Sequence, residues 1–158
     1  MTETQPKPTL PLELLELRAR SLAVIALTDH PQVEVTREQP SSPRLDILAY
    51  LRREGKTLCC QFGIKVEAGL VHEHSTLVAP KLSREQNELL RETPFPLCLF
   101  FFTVDNSQGY WRWLQEPKID PFTGAVLRFH ETGRLAPLSL DEVSKIVQAI
   151  SKWYDARK

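Results

Sequence analysis

Apolar residues mark out the elements of this chain before any motif does. Leu12, Leu15, Ala19, Leu22, Ala23 and Ala26 recur at helical spacing and predict a helix from Leu12 to about Leu27. Thr9 can cap it and Pro11 suits its first turn. In "TDHPQ", Pro31 disfavours a helical His30 and ends the run. "VEVTRE", 33 to 38, alternates as a strand does, and "QPSSPR" reads as a loop.

"LDILAYLRREGKTLCCQFGIKVEAG", 45 to 69, predicts a β-hairpin turning at Glu54-Gly55. In that register each residue faces the one that brings their numbers to a sum of 109, so Arg53 meets Lys56. One face then collects Leu45, Ile47, Ala49, Leu51, Leu58, Cys60, Phe62, Ile64, Val66 and Ala68, all apolar. A one-residue slip would mix the faces, so this side is predicted to lie on the core.

Residues 69 to 82 read as a loop, and Ser83 with Gln86 forms a capping-box pattern opening a helix to about Glu92. "PLCLFFFTVD", 96 to 105, suits a central strand buried on both faces. "NSQG" leads into "YWRWL", and after "EPKIDPFTG" residues 125 to 130 form a further strand. Ser139 and Glu142 make a second capping box. The closing helix, to about Tyr154, buries Val143, Ile146, Val147, Ile150 and Trp153. Residues 1 to 8 are polar and proline-rich and read as a mobile tail, leaving 9 to 158 as one domain of mixed α and β structure.

Composition narrows the function classes. With 20 Lys+Arg against 20 Asp+Glu, the chain lacks the broad positive field that draws proteins to nucleic acid or anionic membrane, though a local patch is compatible with it. No apolar run is long enough to span a bilayer, and "MTETQPKPTLP" shows no secretory pattern. Three cysteines, two of them adjacent, make neither a disulfide framework nor a zinc set. The expectation is a reduced, cytoplasmic protein without a membrane partner.

Candidate chemistry lies on the polar side of the hairpin, which carries Asp46 on one strand and Gly63, Lys65 and Glu67 on the other. In the inferred register Asp46 lies opposite Gly63 with Lys65 diagonally beside it. Two carboxylates and a lysine thus converge at one end. Such carboxylates can hold Mg²⁺, which polarises a phosphodiester and acidifies a bound water, while a lysine orients that water. A solvated sheet face with weak ion pairs is the plainer account.

The order of elements resembles the PD-(D/E)xK, or restriction-endonuclease-like, arrangement. More narrowly it is similar to small bacterial domains of unknown function that read as an acidic helix, "D-x-G-x-D", then "Q-x-K", a short helix, a proline-led apolar strand and a tyrosine-tryptophan strand. The counterparts are "RLDILAYL", "QFGIKVEAG", "LSREQNELLRET", "PFPLCLFFFTVD" and "GYWRWL", covering about residues 12 to 115. The resemblance implies an α/β sandwich with a mixed central sheet flanked by helices. It matches Asp46 to the metal-binding aspartate, Lys65 to the motif lysine, and Glu16, with Glu13 as the weaker match, to the helix glutamate. It implies Mg²⁺ or Mn²⁺ as cofactor and DNA or RNA as substrate.

Gly63 departs from the pattern, standing where the family has Glu or Gln, and "SPRLD" lacks the glycine-rich lead-in. Either Glu67 reaches back to complete the metal set with Asp46 and Glu16, or the site has decayed. A decayed site leaves a module that binds nucleic acid or protein within a larger bacterial defence or mobile-element system. Glu16 and Arg20 also form an i, i+4 pair that would only support the helix.

Other candidates carry less. His72, Glu73 and His74 lack a further zinc ligand at an obvious spacing. Cys60 and Cys98 belong to the core pattern, and Cys59 has no evident activating partner. Trp111 and Trp113 share one side of a strand, with Tyr110 on the other, as base-stacking or core residues do. Arg44, Arg52, Arg53 and Lys56 read as phosphate contacts or as a solvated hairpin tip.

Overall fold

Among the described residues, seven strands form one mixed sheet, with helices on both of its faces. In this computed structural model the described residues are 11–38, 45–53, 56–69 and 81–157. The proposed tail, the Thr9 cap, Arg44, the turn residues Glu54 and Gly55, and the cluster from His72 to His74 lie outside them. So do the side chains of Lys56, Leu58 and Cys59. The elements in chain order are α1 (Leu12–Thr28), β1 (Val33–Glu38), β2 (Ile47–Arg53), β3 (Lys56–Gly69), α2 (Arg84–Arg91), β4 (Leu97–Thr103), β5 (Gln108–Asp120), β6 (Gly124–Phe129), β7 (Ala136–Pro137) and α3 (Leu140–Ala156).

The sheet order is β1-β2-β3-β4-β5-β6, with β7 paired to β5. All neighbours are antiparallel except β3 and β4, which run parallel. A parallel pair needs a crossover, and the segment containing α2 supplies it. β4 is buried along its whole length, as its apolar run predicts. Alternate β4 residues serve two cores. Cys98, Phe100 and Phe102 join Ala19, Ala23 and Leu27 of α1 and the α3 stripe, while Leu97 and Leu99 join Leu90 of α2 and Leu114.

Both later helices start as the sequence indicates. Ser83 Oγ accepts from Gln86 N and the Gln86 side chain returns to Ser83 N. Ser139 Oγ accepts from Glu142 N, but the Glu142 carboxylate accepts from Trp111 Nε1 and Lys145 instead of closing the box. The predicted stripe of α3 is fully buried. Other features of these elements depart from the sequence pattern. Leu12 is exposed, because the first turn of α1 extends past the core. β5 continues through "EPKID" and turns only at Pro121 to Thr123, since Glu116 to Asp120 find partners in β6. The short β7 carried no alternating signal.

Candidate functional site

The hairpin forms, with a register that drifts. Arg53 pairs with Lys56 as expected, but Leu51 faces Cys59 and Tyr50 faces Gln61. Two irregularities each insert one residue into β3, and Cys60 takes a φ of 65° within one of them. Two single shifts restore the side-chain alternation, so Ile47, Ala49, Phe62 and Ile64 remain on the core face as predicted. Partners change, however. Gly63 faces Leu48, not Asp46, and Asp46 N donates to Ile64 O.

β2 begins at Ile47, whereas β3 runs on to Gly69. Beyond Ile64, β3 keeps β4 on one side and has no β2 partner on the other. Asp46 fills the next rung with its side chain: Oδ2 accepts from Val66 N at 2.7 Å. The same oxygen takes Lys65 Nζ at 3.2 Å, and Arg20 lies 4.0 Å from Oδ1. Lys65 also stands 3.9 Å from Glu67 Oε1. Asp46 and Lys65 side chains are each 14% exposed, Glu67 27%.

Beside this overrun opens a cavity of about 580 Å³, walled by Glu16 and Arg20 of α1, by Asp46, Lys65 and Glu67, and by Glu85 and Gln86 of α2. The structure therefore brings together the four residues singled out from the sequence, Glu16, Asp46, Lys65 and Glu67. Burial raises the Glu67 pKa above its ordinary value; Lys65 opposes the rise, and the charges of Asp46 and Glu16 add to it. Arg20 was read from the sequence only as a helix partner of Glu16. It forms no ion pair with Glu16 among the described residues and reaches Asp46 instead, with its Nε buried and unpartnered. Its position one turn after Glu16, on the same side of α1, was the available signal.

Gly63 has a packing reason. A Cβ there would meet Leu45 Cδ2 and Leu97 Cδ2 at 2.7 Å each. Leu45, expected on the core face with Ile47, precedes β2 and packs on the opposite face with Leu82, Leu90 and Leu97. It is thus the lid over Gly63.

A divalent ion is the cofactor that the resemblance implies, and the donor set does not fit one as arranged. Both Asp46 oxygens face cations or a backbone donor, and position 63 has no room for a ligand. Among the described residues, no three His, Cys, Asp or Glu side chains stand close enough together to hold a metal ion.

The remaining candidates among the described residues make contacts within the fold. Arg52 pairs with Glu34, and Arg53, expected at a solvated tip, grips Asp155 and Ser151 of α3. Trp111 packs edge-on against Trp113 and donates to Glu142, while Tyr110 meets Phe101 on the other side. Cys60 and Cys98 are both buried. Burial raises the Cys98 thiol well above its ordinary pKa, which opposes thiolate chemistry. No helix among the described residues is long and apolar enough to cross a membrane. Comparison with family models, curated proteins and solved structures finds no match to this chain.

Proposed function

We propose that this chain is a non-hydrolytic relative of the restriction-endonuclease-like proteins and acts as a binding module through the cavity at Asp46 and Lys65. Support for the kinship is the succession of helix, three-strand meander, crossover helix and a strand parallel to the third. The observation that carries the non-hydrolytic reading is Gly63, sealed beneath Leu45 and Leu97 where the family places an acid. A side chain there would have to displace the ends of both leucines.

Charge favours a protein partner over nucleic acid. Among the described residues, four cavity carboxylates, Glu16, Asp46, Glu67 and Glu85, against two cations, Arg20 and Lys65, leave two excess negative charges when all are ionised. That excess repels a phosphate backbone and attracts a basic side chain. Cytoplasmic residence rests on the cysteine usage and composition, and a place in a larger assembly on the resemblance.

A metal-dependent phosphodiesterase using Mg²⁺ or Mn²⁺ is the second reading. The observation in its favour is the mutual repulsion of Glu16, Asp46 and Glu67, which a cation would relieve. It requires Asp46 to leave both Lys65 and Arg20.

One experiment divides the two. Plasmid nicking with Mn²⁺ is expected to be the same for wild type and Asp46→Ala, and nicking that disappears with Asp46→Ala sinks the binding-module proposal. In parallel, a lysine-rich peptide is expected to bind with salt-sensitive affinity that weakens in Glu67→Gln. Retention of DNA in place of the peptide would count against a protein partner.

A further inference from the structure

The other arginines drawn into the fold find acceptors there. Arg112, 8% exposed, donates to the backbone carbonyls of Trp113, His130 and Glu131. Arg53 holds Asp155 and Ser151. Arg20 is the exception. Its side chain is 17% exposed, yet its guanidinium makes no hydrogen bond among the described residues, and its nearest carboxylate oxygen is Asp46 Oδ1 at 4.0 Å. Arg128, Arg134 and Arg157, which also lack a hydrogen bond among the described residues, are exposed to water. A guanidinium offers five donors in a planar fork, and donors withdrawn from water without an acceptor cost stability. Arg20 therefore holds donors that the chain itself does not use.

Those donors belong to the wall of the cavity beside Asp46. There Lys65 is committed to Asp46 Oδ2 at 3.2 Å. Glu67 has only Lys65, at 3.9 Å, and Glu16 and Glu85 pair with no cation among the described residues. Val66 and Leu89 add an apolar strip between these groups. What the cavity leaves uncommitted is thus of both signs: the fork of Arg20 and the carboxylates of Glu16, Glu67 and Glu85. Its volume of about 580 Å³ falls among those of ligand sites, about 300 to 1,000 Å³.

We infer that the cavity takes a partner segment carrying a carboxylate beside a basic side chain, with the carboxylate on Arg20 and the basic group on Glu67 and Glu16. This rests on the reading of the cavity as a docking site for a basic side chain, and adds a second, opposite charge to the partner. An arginine fork grips a carboxylate through two parallel hydrogen bonds, which fixes direction as well as position. Arg20 therefore orients the segment, while the acids attract it. A chain terminus and an Asp or Glu side chain are the two sources of such a carboxylate.

The test is calorimetric titration of the full chain with three lysine-rich peptides. One ends in lysine with a free carboxyl terminus. The second is its terminal amide, and the third is that amide with glutamate placed next to the last lysine. Simple attraction to an excess of negative charge favours the plain amide, which carries the fewest negative groups. Docking on Arg20 predicts the reverse: the free acid or the glutamate peptide binds at least about tenfold more tightly than the plain amide. Preference for the free acid assigns the carboxylate to a terminus, and preference for the glutamate peptide assigns it to a side chain.

In Arg20→Met that preference is expected to vanish. Arg20→Lys keeps the charge without the fork and is expected to retain a smaller one. Because Arg20 makes no hydrogen bond among the described residues, thermal midpoints should stay near wild type; if Arg20→Met does not fold, Arg20→Lys carries the test.

Equal binding of the three peptides, or tightest binding of the plain amide, overturns the inference; the docking reading survives that result if Glu67→Gln weakens all three. A preference that persists undiminished in Arg20→Met overturns it as well. Failure of every peptide to bind removes the docking reading and the inference together.

Discussion

Gly63 and Lys65 are two residues apart on one strand and point to the same side of the sheet, yet their surroundings are opposite. Gly63 lies under Leu45 and against Leu97, in a sealed apolar layer. Lys65 lies in a polar cavity between Asp46 and Glu67. The boundary between them is the point where β2 begins. Where β2 accompanies β3 the face is closed; where it is absent the face opens and α1 supplies charged walls. The contrast teaches that one position of a strand can be absorbed into an apolar layer while the position two residues on keeps a polar setting.

The harshest way to break that contrast is Gly63→Glu, which supplies the acid that the proposed kinship calls for. It inserts a Cβ into 2.7 Å contacts and a carboxylate into an apolar layer. Destabilisation of about 4 kcal/mol or more is expected in urea unfolding. A loss below about 1 kcal/mol would show that the layer opens easily and that the site is not closed to an acid.

Next in size is Asp46→Ala, which strips Lys65 of its closest carboxylate and leaves Val66 N without its acceptor. A loss of about 2 kcal/mol is expected by the same measurement. Retention of full stability would mean that water replaces both contacts and that the polar half is not built around this residue.

The smallest change sharpens the comparison by pH. The folded-state pKa of Glu67 is raised from its ordinary 4.5, chiefly by burial, so the folded chain holds this proton more tightly than the unfolded one. The contribution of Glu67 to stability therefore falls as pH rises from the ordinary value through the raised one. Glu67→Gln is expected to raise the thermal midpoint at neutral pH, with the increase fading as pH drops below 4.5. An increase independent of pH would assign the effect to packing.

Much of this was legible because alternation along a strand has a period of two and survives paired insertions. The faces of the β2–β3 hairpin, the burial of β4 and the stripe of α3 followed from periodicity alone. The partner of Asp46 did not, because periodicity is blind to bulges that shift the register by two and leave each face intact. Leu45 was misplaced for a related reason: it precedes β2, so alternation does not govern its direction. Arg20 and Arg53 were read by local spacing, whereas their partners are distant in sequence, Asp46 for one and Asp155 for the other. The gathering of Asp46, Lys65 and Glu67 was expected from the hairpin's alternation and that of Glu16 from the resemblance, whereas the reason for Gly63 emerged only from the side chains above it.

One oxygen, Asp46 Oδ2, serves two purposes at once. It is the last rung that keeps the β3 backbone satisfied past Ile64, and it is part of the cavity wall. A guest that competes for this atom therefore tugs on the main chain of Val66, whose strand is hydrogen-bonded directly to the wholly buried β4. Occupancy of the cavity and tightness of the sheet's centre draw on a single acceptor, so a visitor there would be felt in the middle of the fold.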